Sequence, residues 1–335
     1  MIHSYKEIVY KILAAEKIII TAHRSPDGDS IGSTLGLFNF IKKLGKTAHI
    51  CHPDPAPEYL NWLPGIDHVL SYEKDTDQVK QFFDQASLIF CLDYNATNRV
   101  GEDMQVLLEK AACTKVMIDH HLNPHDFADL MISDTEASST AELIYELIVQ
   151  SGHEDKLDGE IGAPLYTGIL TDTGVFRFPS VRPRTHEILA RLLASGVRHE
   201  LIHEHLSDNN TESRLRIQGY AMSYKMEILP DCPVAIIPLT ATELKQFNYI
   251  KGDTDGIPNQ ALSIKGMKAA IFMAEKEGKL KMSFRSKGEN HPVNELAATH
   301  FEGGGHANAA GGISYLSIEE TCAKLRKLAP TYFSY

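Results

Sequence analysis

The sequence predicts an α/β protein with an N-terminal parallel-sheet domain and a smaller C-terminal α/β domain. Three observations carry this. Short runs rich in Ile, Leu and Phe alternate with helical patterns through residues 17–119, as expected of parallel strands joined by crossover helices. A polar stretch at 206–213 interrupts the pattern, and further strands and helices resume beyond it. With 335 residues and 43% hydrophobic content, the chain is long enough to bury two cores.

Strands are expected at 17–22, 46–51, 87–93 and 115–119, with a helix at 30–44. Helices follow at 139–150, 161–170 and 185–195. In the second part, strands are expected at 234–239 and 279–285, and helices at 294–300 and 318–328. No internal repeat or low-complexity tract interrupts the chain. In a parallel sheet, ligands gather at the carboxyl ends of the strands. His23, Asp93 and Asp119 each stand at or just after the end of an apolar run, so all three should emerge at one edge.

Composition narrows the functional classes. The net charge of -11, from 33 Lys and Arg against 44 Asp and Glu, disfavours a long duplex nucleic acid as partner but leaves room for short anions in a metal-lined pocket. Apolar runs such as Lys17-Ile18-Ile19-Ile20 are too short to span a membrane, and the N-terminus lacks the order of a secretory signal. A cytoplasmic protein without membrane contact is the expectation, and a homodimer is compatible with it. The five cysteines, Cys51, Cys91, Cys113, Cys232 and Cys322, contain no Cys-x-x-Cys pair and are expected to be small buried hydrophobes.

The chemistry concentrates in Thr21-Ala22-His23-Arg24-Ser25-Pro26-Asp27-Gly28-Asp29-Ser30, between a strand and a helix. Pro26 and Gly28 fix a turn that can send Asp27 and Asp29 toward different ions. The same residues also suit a plain turn with an Asp or Ser helix cap. Coincidence weakens once Asp93 and Asp119-His120-His121 are added at two further strand ends. Asp172, in Thr171-Asp172-Thr173-Gly174, closes an apolar helix, where an unpaired carboxylate would be costly, so a cationic partner is expected.

A competing pattern is His199-Glu200-Leu201-Ile202-His203, which fits the His-Glu-x-x-His arrangement of a zinc metalloprotease. Five-residue patterns recur by chance, and this one lies near the polar linker. A non-catalytic nucleotide sensor is a third class, against which the complete set of ligand-type residues argues.

Taken in order, the separated motifs resemble the DHH phosphoesterases, in particular the bacterial group combining oligoribonuclease (nanoRNase) and 3'-phosphoadenosine 5'-phosphate phosphatase activities. The resemblance includes a C-terminal DHHA1 domain, carried by Ser283-Phe284-Arg285-Ser286-Lys287-Gly288, Gly303-Gly304-Gly305-His306 and Ala309-Ala310-Gly311. It implies a DHH domain over 1–190, a connecting segment over 191–215 and a DHHA1 domain over 216–335, with the active site in the cleft between domains. It makes His23 and Asp27 ligands of one ion, Asp29, His120 and Asp172 ligands of a second, and Asp93 the bridge. His121 would contact the reacting phosphate or protonate the leaving group. Arg285, Ser286 and His306 would grip a nucleotide's phosphate and sugar, with the backbone of Gly304 and Gly305 approaching an anion. Arg99 would add a phosphate contact, although a surface helix arginine reads equally well.

Two imidazoles among six ligands favour two Mn2+, with Mg2+ or Co2+ able to serve in vitro. A hydroxide held between the ions would attack phosphorus in short RNA oligonucleotides or nucleotides. Linear or cyclic dinucleotides are alternative substrates of the same family. The sequence departs from the family pattern at Ser25, where Asn is common, and at Glu302, where a further glycine is usual.

Overall fold

A six-stranded parallel sheet organises the first of the two units into which the chain divides, Met1–Asn209 and Asn210–Tyr335. The computed structural model describes residues 4–208, 210–288 and 291–333, so parts of the expected domain spans, and Asn209 of the expected linker, lie outside the described residues.

The first unit runs α1 (Tyr5–Ala14), β1 (Ile18–Thr21), α2 (Gly28–Lys43), β2 (Ala48–His52), β3 (Val69–Ser71), α3 (Tyr72–Gln85), β4 (Leu88–Leu92), α4 (Glu102–Lys110), β5 (Thr114–Asp119), β6 (Leu130–Ser133), α5 (Thr140–Gln150), α6 (Gly159–Asp172), α7 (Pro183–Ala194) and α8 (His199–Ser207). Strand order is β3-β2-β1-β4-β5-β6. The chain builds outward from β1, returns to β4 beside it, and builds outward the other way. That reversal opens a crevice at the carboxyl ends of β1 and β4, where doubly wound sheets bind their ligands.

Both faces of the sheet are covered, which is why its strands read as continuous apolar runs. Ile18, Ile20, Leu88, Phe90 and Leu92 join the core on one face, and Ile19, Ile89, Cys91 and Met117 join the core on the other. Strands β3 and β6 have no counterpart among the expected strands because, at the two edges of the sheet, they are only partly buried and lack the long apolar run of the central strands.

Helix α2 is buried from Gly28 through Ile41. It starts at Asp27, whose carboxylate accepts the amides of Asp29 and Ser30, while Ser30 Oγ accepts the amide of Asp27. It then lies against α6 at a distance only glycine permits. A Cβ at Gly32 would stand 2.4 Å from the Pro164 carbonyl oxygen, and one at Gly168 would stand 2.9 Å from Asp29 Oδ1. Pro164 lacks the amide that would bond the Glu160 carbonyl one turn earlier. Asn39 of α2 replaces it, its Nδ2 donating to that carbonyl at 2.9 Å.

The second unit carries α9 (Glu212–Tyr220), β7 (Glu227–Ile228), β8 (Val234–Leu239), α10 (Ala241–Gln246), α11 (Ile257–Leu262), β9 (Ala269–Lys276), β10 (Lys279–Ser286), α12 (Val293–His300), β11 (Gly304–His306), β12 (Ala309–Ser314) and α13 (Ile318–Tyr332). Its sheet is mixed, in the order β11-β12-β10-β9-β8-β7, with β8 and β9 parallel and the remaining pairs antiparallel. Met282 and Phe284 pack with Leu296 and Leu325 on one face, and Ala270 and Phe272 pack with Ile217 and Ile257 on the other. Among the described residues, no helix is long and apolar enough to cross a membrane.

Gly32→Ala should lower thermal stability by about 1–3 kcal/mol through overpacking against α6 backbone, although alanine ordinarily favours a helix interior over glycine by about 1 kcal/mol. Urea and thermal unfolding check this, and an unchanged or raised midpoint would disprove the close-contact account.

Candidate metal centre

The carboxyl edge of the first sheet delivers the site residues one strand at a time. His23 stands two residues beyond β1, Asp93 is the first residue beyond β4, and His120 and His121 follow directly after β5. Asp27 and Asp29 come from the cap and first turn of α2, and Asp172 is the last residue of α6. The close α2–α6 contact thus brings Asp29 and Asp172 to one place. Asp93 adopts φ 63, a left-handed conformation that aspartate tolerates better than most residues and that marks stored strain.

Asp93, 2% exposed, divides its two oxygens between two imidazoles. Its Oδ2 lies 3.3 Å from His23 Nε2, and its Oδ1 lies 3.6 Å from His120 Nε2. On the first side, Asp27 Oδ2 is 3.6 Å from the same His23 nitrogen. On the second, Asp172 Oδ2 and Asp29 Oδ2 are 3.4 and 3.8 Å from the His120 nitrogen. These separations exceed the usual hydrogen-bond range. They approach those between donors sharing one ion, since two atoms each about 2.1 Å from a metal stand about 3.0–3.4 Å apart in octahedral or tetrahedral geometry.

The electrostatics agree. Burial, then repulsion from Asp93 and Asp172, pushes the Asp29 carboxyl well above its ordinary range. Burial also raises Asp172, to about 6, although His120 opposes the shift. Carboxylates so crowded need cations if all are to ionise. Burial works against a charge on His23, but the facing carboxylates of Asp27 and Asp93 outweigh it and raise the imidazole to about 10. His23, Asp27 and Asp93 on one side, and Asp29, Asp93, His120 and Asp172 on the other, therefore suit divalent ions in donor type, spacing and charge.

Surrounding groups aim these donors. His23 Nδ1 lies 2.7 Å from the Arg24 carbonyl and His120 Nδ1 lies 3.4 Å from that of Ala137, leaving each Nε2 turned to the carboxylates. Asp29 accepts the Thr140 and Ala141 amides at 2.7 and 2.9 Å, so its charge meets the N-terminus of α5. Thr140 Oγ1 donates to Asp93 Oδ1 at 3.0 Å.

Asp119, which the sequence marks as another strand-end carboxylate, serves His121 instead. Its Oδ1 is 2.7 Å from His121 Nδ1, and its Oδ2 accepts the His121 amide at 3.1 Å. His121 Nδ1 also lies 3.8 Å from Asp93 Oδ1. That nitrogen is committed to Asp119, although Asp93, His120 and His121 also lie close enough together to face one ion. The sequence signal for Thr140 was the hydroxyl run Ser138-Ser139-Thr140 ahead of a helix, which reads only as a cap until the fold brings it to Asp93.

Arg99 is exposed on a short turn of 3-10 helix, Thr97–Val100, near enough to His121 for its charge to act on that imidazole. In the second unit, Arg285 is half-buried in β10, Ser286 is buried, and Gly304, Gly305 and His306 lie exposed on the edge strand β11. The Ser286 hydroxyl is already engaged, 2.6 Å from the His291 carbonyl and 3.0 Å from Asn308 Oδ1. Glycine is required at 303 and 305 because a Cβ would stand 2.1 Å from the Gly311 oxygen or 2.5 Å from the Ala309 oxygen. Gly304 has open space around it. Ser25 and Glu302, the two departures from the resembled pattern, both have left-handed φ angles, 53 and 44, where Asn and Gly are the easier residues.

His199 and His203 share one face of α8, but they pack around Tyr166, and Glu200 pairs with Arg198 at 2.9 Å. Among the described residues, the three groups of ligand-type side chains able to surround an ion include neither histidine.

Residues 17–169 match the DHH family N-terminal domain, and residues 234–333 match the DHHA1 domain. A Streptococcus mutans protein named probable bifunctional oligoribonuclease and PAP phosphatase NrnA is 31% identical, covering 94% of this chain and 95% of its own. The Thermus thermophilus bifunctional oligoribonuclease and PAP phosphatase NrnA is 30% identical, covering 91% and 86%. A crystal structure of an exopolyphosphatase-related protein from Bacteroides fragilis superposes with a TM-score of 0.89 at 38% identity, covering 98% of this chain and 96% of that one.

Because His23 titrates near pH 10 in the metal-free protein and ligation requires its neutral form, Mn2+ binding at pH 7.5 should release at least one proton. Affinity should therefore rise with pH between 7 and about 10. Calorimetry in buffers of differing ionisation enthalpy measures the release, and a value of zero would remove His23 from the ligand set.

Proposed function

Because the chain belongs to the DHH family of phosphoesterases and carries a DHHA1 domain, we propose that it hydrolyses phosphoric esters of short oligoribonucleotides and of 3'-phosphoadenosine 5'-phosphate. One observation carries the reading: buried Asp93 offers a separate oxygen to each of two imidazole and carboxylate groups. The names of the S. mutans and T. thermophilus relatives support the substrate class, since each covers more than nine-tenths of this chain.

Two divalent cations, preferentially Mn2+, would be held by His23, Asp27 and Asp93 and by Asp29, Asp93, His120 and Asp172, and when bound they supply charge against phosphoryl oxygens and a nucleophile from water at neutral pH. The chain's own residues do the remainder. Thr140 and the α5 amides hold Asp93 and Asp29 in place. Asp119 fixes the His121 ring by Nδ1, and this hydrogen bond raises the imidazole pKa. Its Nε2 is the nitrogen left to hold a proton for the departing oxygen. Arg99 would offset charge on the substrate phosphate. In the second unit, Arg285, Ser286, Gly304, Gly305 and His306 would grip the nucleotide's phosphate and sugar.

A cyclic-dinucleotide substrate has weaker support. The Bacillus subtilis cyclic-di-AMP phosphodiesterase GdpP is 27% identical, and the matched region spans only 50% of it.

With Mn2+ present, pApA, short oligoribonucleotides and 3'-phosphoadenosine 5'-phosphate should release mononucleotide or phosphate, and a chelator should abolish this. Asp93→Ala should reduce kcat on the order of a thousandfold, corresponding to several kcal/mol of lost stabilisation, whereas joint His199→Ala and His203→Ala substitution should not. The reverse pattern would overturn the assignment. Asp119→Asn should lower activity about 10–100-fold while bound Mn2+ stays constant, and unchanged kinetics would show that its clamp on His121 is dispensable.

A further inference from the structure

Directly after Asp172 the chain makes a turn with no role in the reaction as described. Gly174, Val175 and Phe176 are consecutive left-handed residues, with φ of 56, 60 and 61. For β-branched Val175 such a conformation is a true outlier, and strain of this kind costs on the order of 1–3 kcal/mol. The turn is nevertheless pinned. Buried Thr173 accepts the amides of Arg177 and Phe178 on its carbonyl at 2.9 and 3.1 Å and that of Phe176 on its hydroxyl at 3.1 Å.

The two phenylalanines of the turn go opposite ways. Phe176 packs against Tyr166 and His186, with ring centroids 6.3 and 5.9 Å apart. Phe178 is 54% exposed and lies across Gly174, where a Cβ would stand 2.5 Å from its Cζ. Pro179 further restricts the Phe178 backbone. Strain is therefore spent to hold an aromatic ring in water, with one face backed by glycine. Arg177 beside it is exposed and makes no ion pair among the described residues, although the chain carries 44 acidic side chains.

We propose that Phe178 is a stacking platform for the base of the nucleotide whose phosphate reacts at the metal centre, and that Arg177 faces the same nucleotide's sugar and phosphate. The inference rests on the phosphoesterase reading above and extends it to how a nucleotide is told from a plain phosphate ester. Gly174 lies at most about 7 Å from Asp172 along the chain, a distance comparable to the span from a nucleotide's phosphate to its base. Every base has a stacking face, so the platform selects for a base without selecting which one.

Two measurements test this. In Phe178→Trp, AMP should quench the added indole fluorescence, after subtraction of the Trp62 signal measured in the unsubstituted protein, while ribose 5-phosphate should not. In Phe178→Ala, the preference for pApA over a base-free dinucleotide analogue should fall about tenfold through KM, and Phe178→Tyr should restore it. Equal quenching by both ligands, or an unchanged preference in Phe178→Ala, overturns the inference. If the unsubstituted protein turns over neither compound, the phosphoesterase reading fails, and the AMP titration alone decides whether Phe178 stacks a base.

Discussion

Crowding of like charge is the constraint on which the first unit is built. Asp27, Asp29, Asp93 and Asp172 approach two imidazoles at the edge of a sheet whose interior is largely apolar, and Asp29 and Asp93 are almost completely buried. Isolated buried carboxylates are costly, so the fold must supply compensation. It does so with backbone amides at the start of α2 for Asp27 and of α5 for Asp29, with the Thr140 hydroxyl for Asp93, and with His120 for Asp172. What these leave uncompensated is the electrostatic demand for cations.

Helix packing and site geometry are one problem here. The α2–α6 contact is close because glycines face backbone, and that closeness brings the first turn of one helix to the last residue of the other. Pro164 interrupts the hydrogen bonding of α6, yet the freed Glu160 carbonyl is taken by Asn39 across the contact. A defect in one helix becomes a bond between two.

Much of this was legible in the sequence because apolar runs and strand-end ligand residues are local signals. Ile18, Leu88 and Val116 mark strands, and His23, Asp93 and His120 follow the same three strands. The PDGD stretch invited two readings, a cap or a ligand loop, and Asp27 serves the first with Oδ1 while turning Oδ2 to His23. What could not be read were relations made only by folding: Thr140 against Asp93, Asp119 as the holder of His121, Asn39 bonded to Glu160. Strands β3 and β6 lie at half-buried sheet edges without a long apolar run, and the strained turn at 174–176 has no signature beyond a glycine.

The hydrogen bonding around Asp27 and Asp29 also limits how many lone pairs reach the centre. Asp27 Oδ1 is saturated by two amides, and both oxygens of Asp29 already accept one each. Asp27 is thereby left with Oδ2 alone to offer a cation, whereas each Asp29 oxygen keeps one lone pair. One atom from each of three residues on one side and four on the other would leave a cation seeking about six donors with positions to fill. The vacancies in that stoichiometry are where solvent and a reactant's oxygen would compete for entry.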